Sequence, residues 1–146
     1  MKTGEYHITL DEKGRILIPS RVRGEIDSNE LVLTFGIDRC LWLFPSEEWA
    51  RITNALKDST SLFQSKARMI QRRIIAPAQE ADIDKAGRIN IAPALRDYAR
   101  LKKECIVLAI ESYLEIWDEN EYRSYWEENE PLFQEAAEEL GKVITD

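Results

Sequence analysis

The sequence predicts an α+β fold, a pseudo-symmetric small β-barrel made of two tandem βαββα repeats with peripheral helices. The first observation behind this prediction is a motif that occurs twice, LDEKGRILIP from residue 10 and IDKAGRINIAP from residue 83, an offset of 73 residues. The second is that later apolar positions keep the same offset, as Leu41 and Leu114 do. Paired apolar positions are expected when two copies of one supersecondary unit fill equivalent places in a shared core. We therefore interpret the chain as an internal duplication.

Each copy contains the same series of predicted elements. A short strand, HITL in the first copy and EADI in the second, enters the repeated turn. Period-two apolar residues after the turn predict a strand, and the proline that follows predicts a helix of about two turns, because proline is favourable at the first helical positions. Two more strands (ELVLTF and CLWLF, or ECIVLAI and YLEIW) and a longer amphipathic helix complete each copy. Closure of the barrel is expected because it would pair the edge strands that either copy alone would expose.

The predicted organisation has three parts. Residues 1–58 form the first repeat, residues 59–77 a basic inter-repeat helix, and residues 78–146 the second repeat with an acidic C-terminal helix. In the inter-repeat segment, four apolar residues fall on one helical stripe and four basic residues cover much of the rest. The apolar residues are Phe63, Ala67, Ile70 and Ile74, and the basic residues are Lys66, Arg68, Arg72 and Arg73. Two interpretations of the basic residues stay open, contact with phosphates or ion pairing with the acidic C-terminal helix of the same or a neighbouring subunit, and we prefer ion pairing.

Near the C-terminus, Pro131 is predicted to begin a further helix that Gly141 ends. Apolar residues at helical spacing are predicted to pack inward onto the barrel, namely Leu132, Phe133, Ala136 and Leu140. In the helix before it, Asp118 is followed three residues later by Glu121, which predicts a capping box.

The net charge of −7 is unevenly distributed along the 146 residues. Residues 111–146 contain twelve acidic and two basic residues, a net charge of −10, whereas residues 1–110 contain fifteen acidic and eighteen basic residues, a net charge of +3. Because surface charges are screened beyond about 8–10 Å, an acidic tail does not prevent a basic face elsewhere. No apolar run is long enough to span a membrane and the N-terminus has no apolar leader stretch, so we expect a cytoplasmic protein.

The sequence does not favour catalysis, a metal site or a cofactor. Cys40 and Cys105 lie in apolar stretches, which predicts buried thiols, and His7 is the only histidine available to a zinc site or a catalytic triad. The acidic pairs Glu47–Glu48 and Glu127–Glu128 lie among other charges on predicted surface helices, which indicates solvated faces rather than acid–base groups. Tryptophan and tyrosine residues at matched positions in the two copies indicate core or subunit contacts.

The repeated turn has a shape that its residue types explain. Asp11 and Asp84 can accept hydrogen bonds from backbone N–H groups a few residues on, as in an Asx-turn. Gly14 and Gly87 supply a backbone with φ > 0, which a side chain would make costly. These four residues are therefore predicted to shape the two turns.

The basic residues of the turns fit two interpretations equally well. Arg15 and Arg88 could each brace the aspartate of their own turn, because a guanidinium can clamp a carboxylate through two hydrogen bonds. Alternatively, they could face an anionic partner together with Lys13 and Lys85. A duplicated loop presents two similar sets of contacts at a fixed separation, which suits duplex DNA, and an oligomer would bring several such loops together.

LDEKGRILIPSRVR and IDKAGRINIAPALRDYA, in this two-copy arrangement, resemble the MraZ family, which is related to the AbrB-type swapped-hairpin transcription factors. The resemblance covers essentially the whole chain. It implies a ring-shaped homo-oligomer at the nucleoid that binds direct repeats in the promoter of the cell-division and cell-wall operon, including its own gene, and regulates transcription. By position, the DNA-contacting residues of the family correspond to Lys13, Arg15 and Arg88, with Lys85 as a further candidate. The alternative is an AbrB-like DNA-binding antitoxin that neutralises a toxin through its C-terminal segment.

Overall fold

A computed structural model describes residues 3–26, 30–59 and 61–145 of the chain and shows an α+β fold with the predicted order of elements in both copies. The first copy contains β1 (Gly4–Thr9), β2 (Arg15–Leu17), α1 (Ser20–Arg23), β3 (Leu31–Phe35), β4 (Leu41–Pro45) and α2 (Ser46–Ser59). The inter-repeat segment contains α3 (Ser65–Ile70) and a π-helical turn (Gln71–Ile75). The second copy contains β5 (Gln79–Glu80), β6 (Arg88–Asn90), α4 (Pro93–Ala99), β7 (Glu104–Ile110), β8 (Tyr113–Asp118) and α5 (Glu119–Thr145).

The strand order shows that the two copies are interlocked. Six strands form one antiparallel sheet in the order β1-β7-β8-β4-β3-β5. The first strand of each copy pairs with the third strand of the other copy, β1 with β7 and β5 with β3. β4 and β8, which are equivalent in the two copies, pair at the centre. The order therefore reads the same from both ends, as a duplication with a pseudo-twofold axis requires.

The predicted closure of the barrel is wrong. The sheet ends at β1 on one side and at β5 on the other, while β2 and β6 pair with each other as a separate two-stranded ribbon. β5 has only two residues, which is too short an edge for β1 to join. The N–H of Ile18 donates to the carbonyl of Gly87, and the N–H of Ile91 donates to the carbonyl of Gly14, at 2.8 Å each. These bonds tie both ends of the ribbon to the opposite turn.

The core lies between the ribbon and the sheet. The inner face of the ribbon carries Ile16 and Ile89, which pair directly and are 0% and 1% exposed. They pack against buried residues of the central strands, including Leu43, Leu114 and Ile116. Strand alternation puts every second residue of a strand on the same face, so the isoleucines point inward while their neighbours point outward.

The C-terminal prediction is wrong in both its boundaries and its packing. α5 is one continuous helix of 27 residues that passes through Pro131 and Gly141. Its start follows one half of the predicted capping box, since Oδ2 of Asp118 accepts the N–H of Glu121 at 3.2 Å. The carboxylate of Glu121 instead lies 3.5 Å from Nη1 of Arg100. The residues expected to face inward are exposed, with Leu132, Phe133 and Leu140 at 60%, 51% and 58%. The physical reason is that only the first half of α5 lies over β7 and β8, and the second half extends beyond the sheet.

The inter-repeat segment follows its predicted stripe only in part. Ala67 and Ile74 are buried, but Phe63 is 95% exposed and Ile70 is 41% exposed. Phe63 precedes the helix, and the N–H of Ala76 donates to the carbonyl of Gln71 across a π-helical turn. Such a turn inserts an extra residue and shifts the phase of the helix, which takes Ile70 out of line with Ile74.

Three smaller predictions concern single elements. Both cysteines are buried and unpaired, as predicted, and burial raises the pKa of the Cys105 thiol to about 12 and that of Cys40 further still. The first of the two short helices, α1, is a single turn rather than the predicted two. None of the helices in the described ranges is long and apolar enough to cross a membrane.

Candidate nucleic-acid interface

The first repeated turn is held by the side chain and backbone of Asp11. Oδ1 of Asp11 accepts the N–H of Lys13 at 2.9 Å and the N–H of Arg15 at 2.8 Å. The carbonyl of Asp11 accepts the N–H of Gly14, which has φ +81°, a conformation that favours glycine. The hydrogen bond from the Arg15 N–H lowers the pKa of the Asp11 carboxyl below its usual value.

The second turn repeats this backbone geometry. Oδ1 of Asp84 accepts the N–H groups of Ala86 and Arg88 at 2.9 Å each, and Gly87 has φ +82°. The N–H of Arg88 is the main cause of the lowered pKa of Asp84, and the positive charges of Arg88 and Arg15 contribute further. Each aspartate therefore lies close to arginines of both copies.

The ribbon brings the two arginines to one face. β2 and β6 pair so that Arg15 faces Asn90 and Leu17 faces Arg88. Directly paired residues share a face, and so do residues two apart, so these four side chains all lie opposite the buried isoleucines. We call this the outer face of the ribbon. Arg15 and Arg88 are diagonal neighbours there, and the Cα atoms of such neighbours lie about 7–8 Å apart.

Asp11 lies between the two arginines. Nε of Arg15 donates to Oδ2 of Asp11 at 2.9 Å, and Nη1 of Arg88 lies 3.7 Å from the same oxygen. The side chains of Arg15 and Arg88 are nevertheless 35% and 41% exposed. A guanidinium carries five N–H donors, so one bond to a carboxylate leaves donors for another partner. Arg15 thus braces its own turn, whereas Arg88 approaches the aspartate of the opposite turn.

The two lysines are exposed but do not occupy equivalent positions. Lys13 corresponds to Ala86, and Lys85 corresponds to Glu12, by the offset of 73 residues. Each lysine directly follows an acidic residue. The first turn carries two acids, Asp11 and Glu12, whereas the second carries only Asp84 between residues 84 and 88. The second turn is the more positive of the two.

Comparison with known proteins gives the relatives of this chain. The family described as "MraZ protein, putative antitoxin-like" matches residues 1–73 and again residues 74–143. A protein of Treponema denticola named Transcriptional regulator MraZ is 46% identical over 141 residues, which cover 97% of this chain and 98% of the relative. Two proteins of Treponema pallidum with the same name are each 45% identical over 138 residues, which cover 94% of this chain and 93% of the relative.

The chain belongs to the MraZ family. The predicted family is therefore confirmed, and the two consecutive matches agree with the internal duplication. The relatives are named for the regulation of transcription and not for catalysis.

In this MraZ-family chain, two further arginines lie against the turns and were missed as candidates by sequence reasoning. A Cβ placed on Gly14 would lie 2.8 Å from Cζ of Arg96, and one placed on Gly87 would lie 2.6 Å from Cζ of Arg23. The short helix of each copy thus places its arginine on the glycine of the other copy. The signal was available, because Arg23 and Arg96 are identical at the offset of 73.

These arginines complete a basic surface. Nε of Arg23 donates to the carbonyl of Ile18 at 2.9 Å, whereas Nε of Arg96 is buried without a hydrogen-bond partner among the described residues. The two turns together with Arg23 and Arg96 contribute six basic and three acidic side chains to this region. The basic ones are Lys13, Arg15, Arg23, Lys85, Arg88 and Arg96, and the acidic ones are Asp11, Glu12 and Asp84. A local net charge of +3 in a chain of net charge −7 attracts an anionic partner to this face.

The other candidates of the sequence have structural environments. Glu48 pairs with Arg51 on the surface of α2, and Glu127 is exposed on α5. Trp117 packs edge-on against Tyr122, with ring centroids 5.2 Å apart, beside the buried Cys40. Among the described residues, no group of histidine, cysteine, aspartate or glutamate could hold a metal ion.

Proposed function

We propose that this member of the MraZ family regulates transcription by binding double-stranded DNA through the outer face of the ribbon. The observation that supports the proposal is that Arg15 and Arg88 share this face, with the exposed Lys13 and Lys85 in the two adjoining turns. A two-stranded ribbon fits the major groove, which is about 12 Å wide. A pseudo-twofold axis relates the two turns, as a twofold axis relates the two strands of duplex DNA.

The lysines and the arginines would make different kinds of contact with DNA. The lysines are exposed point charges, suited to neutralising phosphates and releasing counterions. The arginines are half-buried and held by Asp11, which fixes the orientation of a planar group that can donate two hydrogen bonds to O6 and N7 of guanine. The same ion pairs that brace the turns would therefore orient the arginines for base contact.

We extend the proposal to the assembly of the chain and to its DNA target. One ribbon offers too few contacts for strong binding, so several copies in a ring-shaped homo-oligomer would bind direct repeats together. The resemblance to the family supports a target in the promoter of the cell-division and cell-wall operon that includes the chain's own gene. The protein would then act in the cytoplasm, associated with the nucleoid.

A gel-shift titration with the DNA upstream of the chain's own gene, over a series of salt concentrations, tests this proposal. We expect Arg15→Ala and Arg88→Ala each to weaken binding by about tenfold or more, since a bidentate base contact contributes about 1–3 kcal/mol. Arg51→Ala, which removes a paired arginine from the surface of α2, is the matched control and should bind as the wild type does. Size-exclusion chromatography checks that the variants keep the fold and the assembly.

Two results would overturn the proposal. One is the absence of binding at low salt, where electrostatic attraction is strongest. The other is wild-type affinity in both arginine variants. Arg88→Lys sharpens the test, because it keeps the charge and removes the planar pair of donors, so it should lose discrimination between sites more than total affinity.

An antitoxin that neutralises a toxin through its C-terminal segment is the second candidate function. The observation that favours it is the exposed apolar face of the second half of α5, because such a face is typical of a protein contact. Co-purification of a single partner protein with the full chain, lost on Phe133→Ser and Leu140→Ser, would support this function.

A further inference from the structure

The second half of α5 exposes a continuous apolar stripe. Its residues, between 51% and 75% exposed, are Leu132, Phe133, Leu140, Val143 and Ile144, and we call them the tail stripe. Trp126, Phe133 and Leu140 follow one another at intervals of seven residues, which keeps them on one side of a helix. The ring of Trp126 packs edge-on against Phe133, with centroids 5.8 Å apart. A stripe of this kind on an isolated helix marks a contact surface.

Acidic side chains border the tail stripe. With about 3.6 residues per turn, Glu128, Glu135 and Glu139 lie along one edge of the stripe and Glu130 lies along the other. Residues 127–145 contain six glutamates and one lysine, a net charge of −5. Two such helices side by side would bring like charges together, which disfavours a contact between two tail stripes. The charge instead favours a basic partner surface.

The same chain carries a surface of the opposite charge. Residues 61–75 contain four basic residues and no acidic residue, a net charge of +4. The exposed Ile37, Met69 and Ile70 line a cleft of about 460 Å³, and Arg72 and Arg73 line it with them. We call this the basic cleft. An apolar cleft bordered by arginines is suited to an amphipathic helix with acidic edges.

The two surfaces of one chain do not meet. The first half of α5 passes close to Arg73, since Tyr125, Glu128 and Arg73 line a common cleft. From Asn129 to Thr145 the helix then continues for seventeen residues, about 25 Å, without interruption. Among the ion pairs of the described residues, none joins residues 61–75 to α5. A continuous helix cannot fold back onto its own start, so the partner must come from another chain.

We infer that the tail stripe of one copy docks into the basic cleft of a second copy. The contact is heterologous, because it joins two different surfaces, so a pair of copies keeps one free cleft and one free tail for further copies. Repetition of such a contact closes a ring when the rotation between copies allows it. This inference rests on the proposed function, because that function requires a homo-oligomer. The tail stripe and the basic cleft are the surfaces that would hold this oligomer together.

Mixing two charge-reversed full-length chains tests the inference. One variant carries Arg72→Glu and Arg73→Glu, so that its cleft and its tail are both acidic. The other carries Glu135→Lys and Glu139→Lys, which gives that edge of its tail stripe a net positive charge, so that the edge and the cleft are both basic. We expect each variant alone to need at least a tenfold higher concentration than the wild type for half-assembly. An equimolar mixture should regain assembly, because each tail then meets a cleft of opposite charge.

Sedimentation velocity in the absence of DNA measures the assembly, and circular dichroism confirms that each variant is folded. The matched controls move the same charges elsewhere: Glu127→Lys with Glu138→Lys on the opposite side of the helix, and Lys102→Glu with Lys103→Glu before β7. Both controls should assemble as the wild type does.

Several results would overturn the inference, and they differ from a failure of DNA binding. A monomeric wild-type chain would remove both the ring and this contact. Unchanged assembly in either charge-reversed variant, or variants that fail alone and also fail when mixed, would remove this contact alone. If the cleft variant assembles normally but loses DNA affinity, the basic cleft is a nucleic-acid surface instead.

Discussion

The turn that begins at Asp11 and the turn that begins at Asp84 share one backbone geometry but hold their arginines differently. In both, the aspartate accepts two backbone N–H groups and the glycine has φ near +80°. In the first turn Nε of Arg15 also bonds its own aspartate at 2.9 Å, while Arg88 lies 3.7 Å from Asp11 of the opposite turn. Duplication has therefore kept the backbone of the turn the same in both copies, whereas the surroundings of the side chains of Arg15 and Arg88 differ.

The largest expected effect is a difference in the free energy of unfolding between variants of the two glycines. Gly87→Ala and Gly14→Ala should each lower the free energy of unfolding by about 1–3 kcal/mol, because alanine is strained at positive φ. Gly87→Ala should cost more, since its Cβ displaces Arg23 and breaks the bond from Nε of Arg23 to Ile18, whereas Arg96 makes no such bond. Urea denaturation measures both. Equal losses would show that the arginines do not contribute. Gly24→Ala is the control, because Gly24 has φ −66° and a Cβ there would lie 3.6 Å from the carbonyl oxygen of Ser20, an ordinary van der Waals contact.

The next largest expected effect is a difference in stability between variants of the two aspartates, and this difference depends on pH. The folded pKa of Asp11 and of Asp84 is lowered, so the stability that each contributes is fully present above its unfolded pKa of about 4 and is lost as the pH falls through the folded value. Asp11→Asn should lower the urea midpoint at pH 7 more than Asp84→Asn does, because Asp11 also bonds the side chain of Arg15.

The difference between the two asparagine variants should shrink as the titration approaches pH 3, since protonation of the wild-type carboxyls removes the same interactions. A gap between the variants that persists at low pH would show that the ion pair with Arg15 is not its cause.

The smallest expected effect is a difference in DNA affinity between variants of the two lysines. Lys85→Ala should weaken DNA binding more than Lys13→Ala, because the turn of Lys13 carries two acidic residues and the turn of Lys85 carries only one. Each change should lower the salt slope of the binding constant by about one. Gel-shift titrations at several salt concentrations measure this slope. A larger effect of Lys13→Ala would reverse the assignment of the second turn as the more positive one.

The sequence predicted those parts of the fold that depend on local patterns. The alternation around Ile16 and Ile89 predicted the strands and their buried face, and the offset of 73 predicted the duplication. The shared face of Arg15 and Arg88 could not be predicted, because it depends on the register between β2 and β6, and a slip of one residue would put one of them on the other face.

The errors at the C-terminus have a different origin. Pro131 and Gly141 are local signals for the start and end of a helix, but α5 continues through both. An apolar stripe in a sequence shows that a helix face needs a partner and does not show where the partner is. The inward packing of Leu140 was therefore an assumption that the chain supplies its own partner.

The exchange of first strands between the copies has a consequence for synthesis of the chain. Gly4 in β1 pairs with Ala109 in β7, so the partners are 105 residues apart. At about 5–20 residues per second, β1 leaves the ribosome roughly 5–20 s before the strand that it pairs with. Contacts between such distant residues also form slowly, because a long loop must close first. The first repeat can complete its sheet only when most of the second repeat has been made, so the newborn N-terminal half has an open strand edge to protect.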